Sequence, residues 1–364
     1  MPPSDEETLA RGVLGTSLSV APGESVVVEA WSHALPWARA FVVEARRRGA
    51  DVVLALEDEE AYFRSLALAG RGAFPRPSAG LARVADAYVC FDGPEAFSRL
   101  LGLPTGEFAA VLDRHPGPWL RVARQRRLRA ARVVAPDITA TLADRYGVDR
   151  EEWEREVLRA SLVPPHRIGA AALRLVRHLR GRRRLRVRHP NGTDLVVQLR
   201  PGPGALDDGR VGDDDRTAGR VWTQVPGGRI VFDVRTGTPE GRWEANRPVY
   251  DRFDDPSVSL GATFRFRRGR LAEYGFDHGG DSFGAAYRRA GVGRDRLADL
   301  SFGLNPALRS APELAEFALG SVTIRLGAAP RSRGWRGRFQ YRTTLTGADV
   351  EVDGRPLLDT GELQ

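Results

Sequence analysis

The chain has 364 residues, of which 42% are hydrophobic, 8% aromatic and 28% charged. Such a composition supports a sizeable core, favours two domains over one at this length, and stands well away from disordered and membrane classes. The net charge is +8 with 55 basic residues, every one an arginine. The 47 carboxylates are spread along the chain and no nucleic-acid-binding module is recognisable, so no nucleic-acid partner is expected.

Met1 to Glu7 is acidic where a secretory signal would be basic, and no apolar run approaches the roughly 18 residues of a membrane span. A cytoplasmic location without a membrane partner is expected. Ser25 to Trp31 (SVVVEAW) reads as a strand, Pro36 to Arg48 as an amphipathic helix, and Asp51 to Leu56 as a second strand. Glu59 to Ala69 and Pro94 to Leu101 read as helices around a third strand, Ala85 to Phe91, giving a parallel sheet flanked by helices. The turn after the first strand, Ser32-His33-Ala34-Leu35-Pro36, lacks the glycines of a dinucleotide fingerprint. Cys90 stands alone in its strand, which excludes an intramolecular disulfide and reads as a small core residue.

Asp149 before Glu151 and Glu152 marks a helix start, and helix continues to about Leu179. The arginines of 174–188 read as the solvated face of a helix end running into the strand Leu185 to Arg188. From Asp194 the pattern changes to short alternating runs: Leu195 to Leu199, Ile230 to Val234, Ser257 to Phe266, Ser321 to Leu326 and Ala348 to Val352. The Gly/Asp-rich stretch Gly202 to Gly219 lacks calcium-loop spacing and reads as a solvated connection. An α/β domain with a helical connector over 1–180 and a β-rich α+β domain over 181–364 are thus expected.

Several phrases of the second half resemble, in order and spacing, the aminopeptidase T family of dinuclear metallopeptidases. They are Asn191 to Leu195 (NGTDL), Trp222 to Arg229 (WTQVPGGR), Leu297 to Pro306 (LADLSFGLNP), Gly320 to Gly327 (GSVTIRLG) and Val350 to Gly354 (VEVDG). The resemblance implies an N-terminal α/β domain, a β-rich C-terminal domain that holds the active site, and a homodimer. It also implies two metal ions, held by carboxylates and histidines, that polarise a peptide carbonyl and activate a bridging water. The family's ligand positions fall here on Arg229, Asp299, Thr323 and the pair Gln340 and Arg342, with Tyr341 between the last two. That exchange leaves one carboxylate among positive charges, so neither a metal nor another cofactor is expected.

Paired guanidiniums suit a carboxylate, a phosphate or a developing oxyanion. Arg229, Arg342, Thr323 and Gln340 are therefore candidate substrate-binding residues, and Asp299, Tyr341 and His278 candidate proton-transfer groups. His278 lies in a Gly-rich turn beside Asp277 and Asp281, where an exposed turn histidine is the plainer reading. His33 follows the first strand, at the sheet edge where α/β ligands bind, and Ser32 lacks the context of a nucleophile. His115, His166, His178 and His189 suggest no constellation. Two functions follow as expectations. One is a metal-independent aminopeptidase-like enzyme acting on a small amino-acid- or peptide-like carboxylate in specialised biosynthesis; the other is a non-catalytic, ligand-binding or regulatory pseudoenzyme. A metallo-aminopeptidase with rearranged ligands would need compensating ligands that the sequence does not offer.

Overall fold

A computed structural model of the chain describes residues 3–68, 77–91, 93–96, 99, 116–181, 183–250, 258–309, 311–327 and 339–364. His115, Ser257 and half of the predicted helix Pro94 to Leu101 lie outside the described residues. The strands are, in chain order, β1 (Ser25–Trp31), β2 (Asp51–Glu57), β3 (Ala87–Cys90), β4 (Arg129–Val133), β5 (Arg184–His189), β6 (Thr193–Gln198), β7 (Ala205–Asp207), β8 (Trp222–Val225), β9 (Arg229–Asp233) and β10 (Glu240–Glu244). They continue with β11 (Val249–Tyr250), β12 (Val258–Ser259), β13 (Thr263–Arg267), β14 (Arg270–Gly275), β15 (Leu297–Gly303), β16 (Val322–Gly327), β17 (Gln340–Leu345), β18 (Asp349–Val352), β19 (Arg355–Asp359) and β20 (Glu362–Leu363). None of the described helices is long and apolar enough to cross a membrane.

The chain forms two compact units. The first takes residues up to Pro165 together with Gly209–Gly227, and the second takes His166–Asp208 and Gly228–Gln364.

The first unit is a five-stranded parallel sheet in the order β2-β1-β3-β4-β8. Val26, Val27 and Val28 of β1 are buried, as the near-continuous β-branched run of an inner parallel strand requires. Helix Leu35–Arg47 turns Ala38, Phe41 and Ala45 inward. The buried carboxylate of its Glu44 accepts from Arg47 at 2.8 Å and Arg48 at 2.9 Å. Asp149 caps helix Arg150–Ser161 as its spacing predicts, its carboxylate accepting from the Glu152 amide at 2.7 Å. Cys90, at the end of β3, is half-buried. The stretch Gly202 to Gly219 holds more structure than a plain connection: β7 and helix Asp213–Thr217 both lie within it. Asp215 starts that helix by accepting from the Gly212 amide at 3.0 Å.

The second unit is antiparallel. Its long sheet runs β14-β13-β10-β6-β5-β18-β19-β20, and its shorter one β17-β16-β15-β9-β7. Trp243, Phe264 and Phe266 are fully buried in the long sheet. Phe264 meets Tyr341 of β17 with ring centroids 6.2 Å apart, and Phe283 of helix Asp281–Arg289 meets the same tyrosine at 4.7 Å. The apolar side of the shorter sheet therefore rests on an aromatic cluster. Its other side holds the chain's candidate site.

Candidate functional site

The site follows from strand alternation. Successive side chains of a strand point to opposite faces. In β15 this turns Leu300 and Phe302 to the apolar face and Asp299, Ser301 and Gly303 to the other. In β16 it separates Ile324 from Thr323 and Arg325, and in β17 Tyr341 and Thr343 from Gln340, Arg342 and Thr344. Register completes the face. Arg342 opposes Arg325, which opposes Asp299; Thr344 opposes Thr323, which opposes Ser301; and Gly303 opposes Arg229, which opposes Asp207.

Arg342 opposite Arg325 places two like charges side by side, which is destabilising unless each finds an acid. Both do. Arg325 grips Asp299 with two parallel bonds, Nε to Oδ1 at 3.1 Å and Nη2 to Oδ2 at 2.8 Å. The two side chains are 8% and 5% exposed, so this is a buried, bidentate pair. Arg342 donates to Glu316 Oε1 at 2.6 Å, and the other oxygen of that carboxylate lies 2.5 Å from Arg229 Nη1. Arg229 also faces Asp207 at 3.8 Å, which is ion-pair range, and lies over the Phe317 ring, 4.7 Å from its centroid. Thr323 shares a 2.8 Å hydroxyl contact with Thr344, both buried.

Burial and charge act against each other here. Burial raises the Asp299 carboxyl above its ordinary value, while Arg325 pulls it down. Burial likewise lowers the Arg325 guanidinium, with Asp299 opposing. Glu316 resolves the other way: burial alone would raise it, but Arg229 and then Arg342 hold it down at about 2. It is therefore fully ionised at neutral pH.

Glu316 reaches this place from a turn rather than a strand. It lies in the single 3₁₀ turn Ala315–Phe317, on the connection from β15 to β16. Leu304 and Asn305 donate backbone bonds to the Phe317 carbonyl at 3.1 and 2.8 Å, and Leu319 donates to Asn305 at 3.0 Å. Two glycines clear the ground for that turn. A Cβ on Gly303 would stand 1.9 Å from the Ala318 carbonyl oxygen. Gly228, at φ 127°, would meet the Asn305 side chain at 2.7 Å.

The structure thus gathers Arg229, Asp299, Thr323 and Arg342 on one face, with Gln340 on the same face at the exposed start of β17. Tyr341 takes the opposite face, among Phe264, Phe276 and Phe283. His278 sits after β14, exposed and paired through its backbone with Leu260. Sequence reasoning missed Arg325, Glu316 and Asp207. Arg325 has a readable signal, since it stands two residues after Thr323 on one strand; the other two have none. The charge imbalance expected of Arg229 and Arg342 against Asp299 alone is corrected by these acids, because Arg229, Arg325 and Arg342 face Asp207, Asp299 and Glu316. Among the described residues, no three His, Cys, Asp or Glu side chains gather as metal ligands.

No protein-family model matches the chain, and no curated protein does. Among solved structures it is similar to wild-type AmpT from Thermus thermophilus at 20% identity, over 99% of this chain and 98% of that one, with a TM-score of 0.73. It is also similar to the 2,5-dihydroxypyridine dioxygenase from Pseudomonas putida KT2440 at 14% identity, over 100% of this chain and 98% of that one, with a TM-score of 0.61. At such identities the likeness speaks for fold, and one fold here serves a protein named for AmpT and a dioxygenase. The chain has the aminopeptidase T-like fold: a parallel α/β domain joined to a β-rich antiparallel one.

Proposed function

We propose that this chain is a metal-independent, aminopeptidase-like enzyme that holds an amino-acid- or peptide-like substrate through its carboxylate. The observation that carries this reading is the convergence of Arg229 and Arg342 on the two oxygens of one carboxylate, at 2.5 and 2.6 Å. Two guanidiniums in that arrangement form a clamp for a planar anion. The Arg342 side chain is 42% exposed, so its remaining donors are open to a ligand from outside. Asp299 is the favoured proton-transfer group, because it shares this face and its carboxyl is raised by burial. Tyr341, on the opposite face, and His278, exposed after β14, are less well supported in that role.

The donor set does not fit the two metals of the aminopeptidase T family. Both Asp299 oxygens accept from Arg325, the Thr323 hydroxyl is engaged by Thr344, and Arg229 and Arg342 bring fixed positive charge to the family's ligand positions. We extend the proposal to a cytoplasmic homodimer; a monomeric mass in light scattering at micromolar concentration would remove that part.

One observation favours a second reading, a non-catalytic pseudoenzyme. The three arginines already face three carboxylates, so the cluster is neutral without a ligand. Calorimetric titration with acetate, amino acids and dipeptides separates the two. The enzyme reading expects Arg229→Ala and Arg342→Ala each to weaken carboxylate binding by about 2 to 4 kcal/mol, with Arg→Lys recovering only part. Unchanged binding in both variants would leave the pseudoenzyme. Elemental analysis after dialysis tests the metal claim, and two tightly held ions per chain would refute it.

A further inference from the structure

We infer that Glu316 is a built-in competitor: an internal carboxylate that occupies the two-arginine clamp and that an incoming carboxylate must displace. The inference rests on the reading of Arg229 and Arg342 as an anion clamp.

The geometry points to an occupant rather than to an ordinary surface ion pair. Glu316 gives one oxygen to each guanidinium, which is the position a ligand carboxylate would take between the same two arms. Its side chain is 12% exposed, and burial is offset by the two arginines, so the group stays charged. Its backbone is fixed: the bonds from Leu304, Asn305 and Leu319 hold the turn on both sides. The carboxylate can therefore leave the clamp by rotating its side chain, without the turn opening. The outer arm, Arg342, is the more exposed of the two guanidiniums, and Arg229 stays stacked on Phe317. Exchange of one carboxylate for another keeps the charge of the cluster constant, since Glu316 is rehydrated as the ligand is desolvated. The inner pair, Asp299 with Arg325, takes no part in the exchange and holds the sheet face in place.

The test compares wild type with Glu316→Gln, an uncharged side chain of the same length, in calorimetric titrations with sodium acetate and with inorganic phosphate at fixed ionic strength. Removing the internal charge leaves three arginines facing two carboxylates, so Glu316→Gln is expected to bind acetate at least tenfold more tightly than wild type. Adding Arg342→Ala to that variant should abolish the gain. Phosphate binding tightened with acetate unchanged would overturn the carboxylate assignment. Thermal melts guard against a variant that is merely unstable: added acetate should raise the Tm of Glu316→Gln more than that of wild type. If Glu316→Gln binds acetate no better than wild type while Arg229→Ala still weakens wild-type binding, the clamp stands and the competitor role is overturned. If neither anion binds wild type or Glu316→Gln, the clamp fails and the competitor with it.

Discussion

The two faces of the short sheet in the second unit are built from the same strands and solve opposite problems. On one face Leu300, Phe302 and Ile324 are buried among hydrocarbon, where each contributes by leaving water and any change of volume is felt locally. On the other, Asp299 and Arg325 are almost as deeply buried, yet their burial is costly and is tolerated only because each completes the other. The difference teaches that depth of burial does not reveal what a side chain contributes. What replaces it does.

Truncation alone should not tell the faces apart. Phe302 is 1% exposed and packs edge-on to Phe232, so Phe302→Ala is expected to cost about 3 to 5 kcal/mol in denaturant unfolding. Asp299→Ala should cost about as much, roughly 3 to 5 kcal/mol, by leaving the Arg325 guanidinium buried without its acid. The faces part on repair. Replacing Asp299 and Arg325 together by Leu and Met should recover most of the loss, whereas no second change repairs the Phe302 cavity. If the double variant is as unstable as Asp299→Ala, the charged face contributes stability in its own right.

A smaller effect separates the charged face by pH. The folded value for Glu316, about 2, lies below its ordinary 4.5. Its contribution is therefore complete above about pH 4.5 and is lost as pH falls towards 2, on the order of 3 kcal/mol in all. Asp299 runs the other way, since a raised carboxyl favours the folded state as it takes up a proton. Unfolding of wild type and Glu316→Gln between pH 5 and 2 should show the wild type losing more stability; parallel curves would mean that Glu316 is not held in its charged form. The smallest effect concerns the hydroxyl pair. Thr323→Val leaves the buried Thr344 hydroxyl without its partner and should cost about 1 to 2 kcal/mol, while Thr323→Val with Thr344→Val should be near neutral.

How much of this can be read from the chain depends on whether the cause is local. The parallel unit and the β-rich unit follow from apolar periodicity, and the cap at Asp149 from one residue and its neighbours. The shared face of Asp299 with Ser301, and of Thr323 with Arg325, follows from alternation once the strands are placed; so does the opposite orientation of Tyr341 and Arg342. Glu316 is different. It stands in a turn without periodicity, and it reaches the arginines only because Gly303 and Gly228 let backbone lie close against backbone. Asp207 is hidden for a related reason: β7 lies inside a Gly/Asp-rich stretch that has the composition of a solvated connection. Both acids complete the charge count, and both are set by contacts between segments far apart in sequence.

Strand β8 has a consequence for how the protein is made. A ribosome delivers the chain in order, so the parallel sheet lacks its last strand until Val225 has emerged, after β5, β6 and β7 of the other unit. Until then the free edge of β4 is a pairing template for any passing strand. A gene divided between Pro165 and Gly209 would give a first fragment with that edge permanently open and a second burdened with an orphan strand. Separate expression of the two units therefore calls for grafting 209–227 onto the first rather than for a single cut.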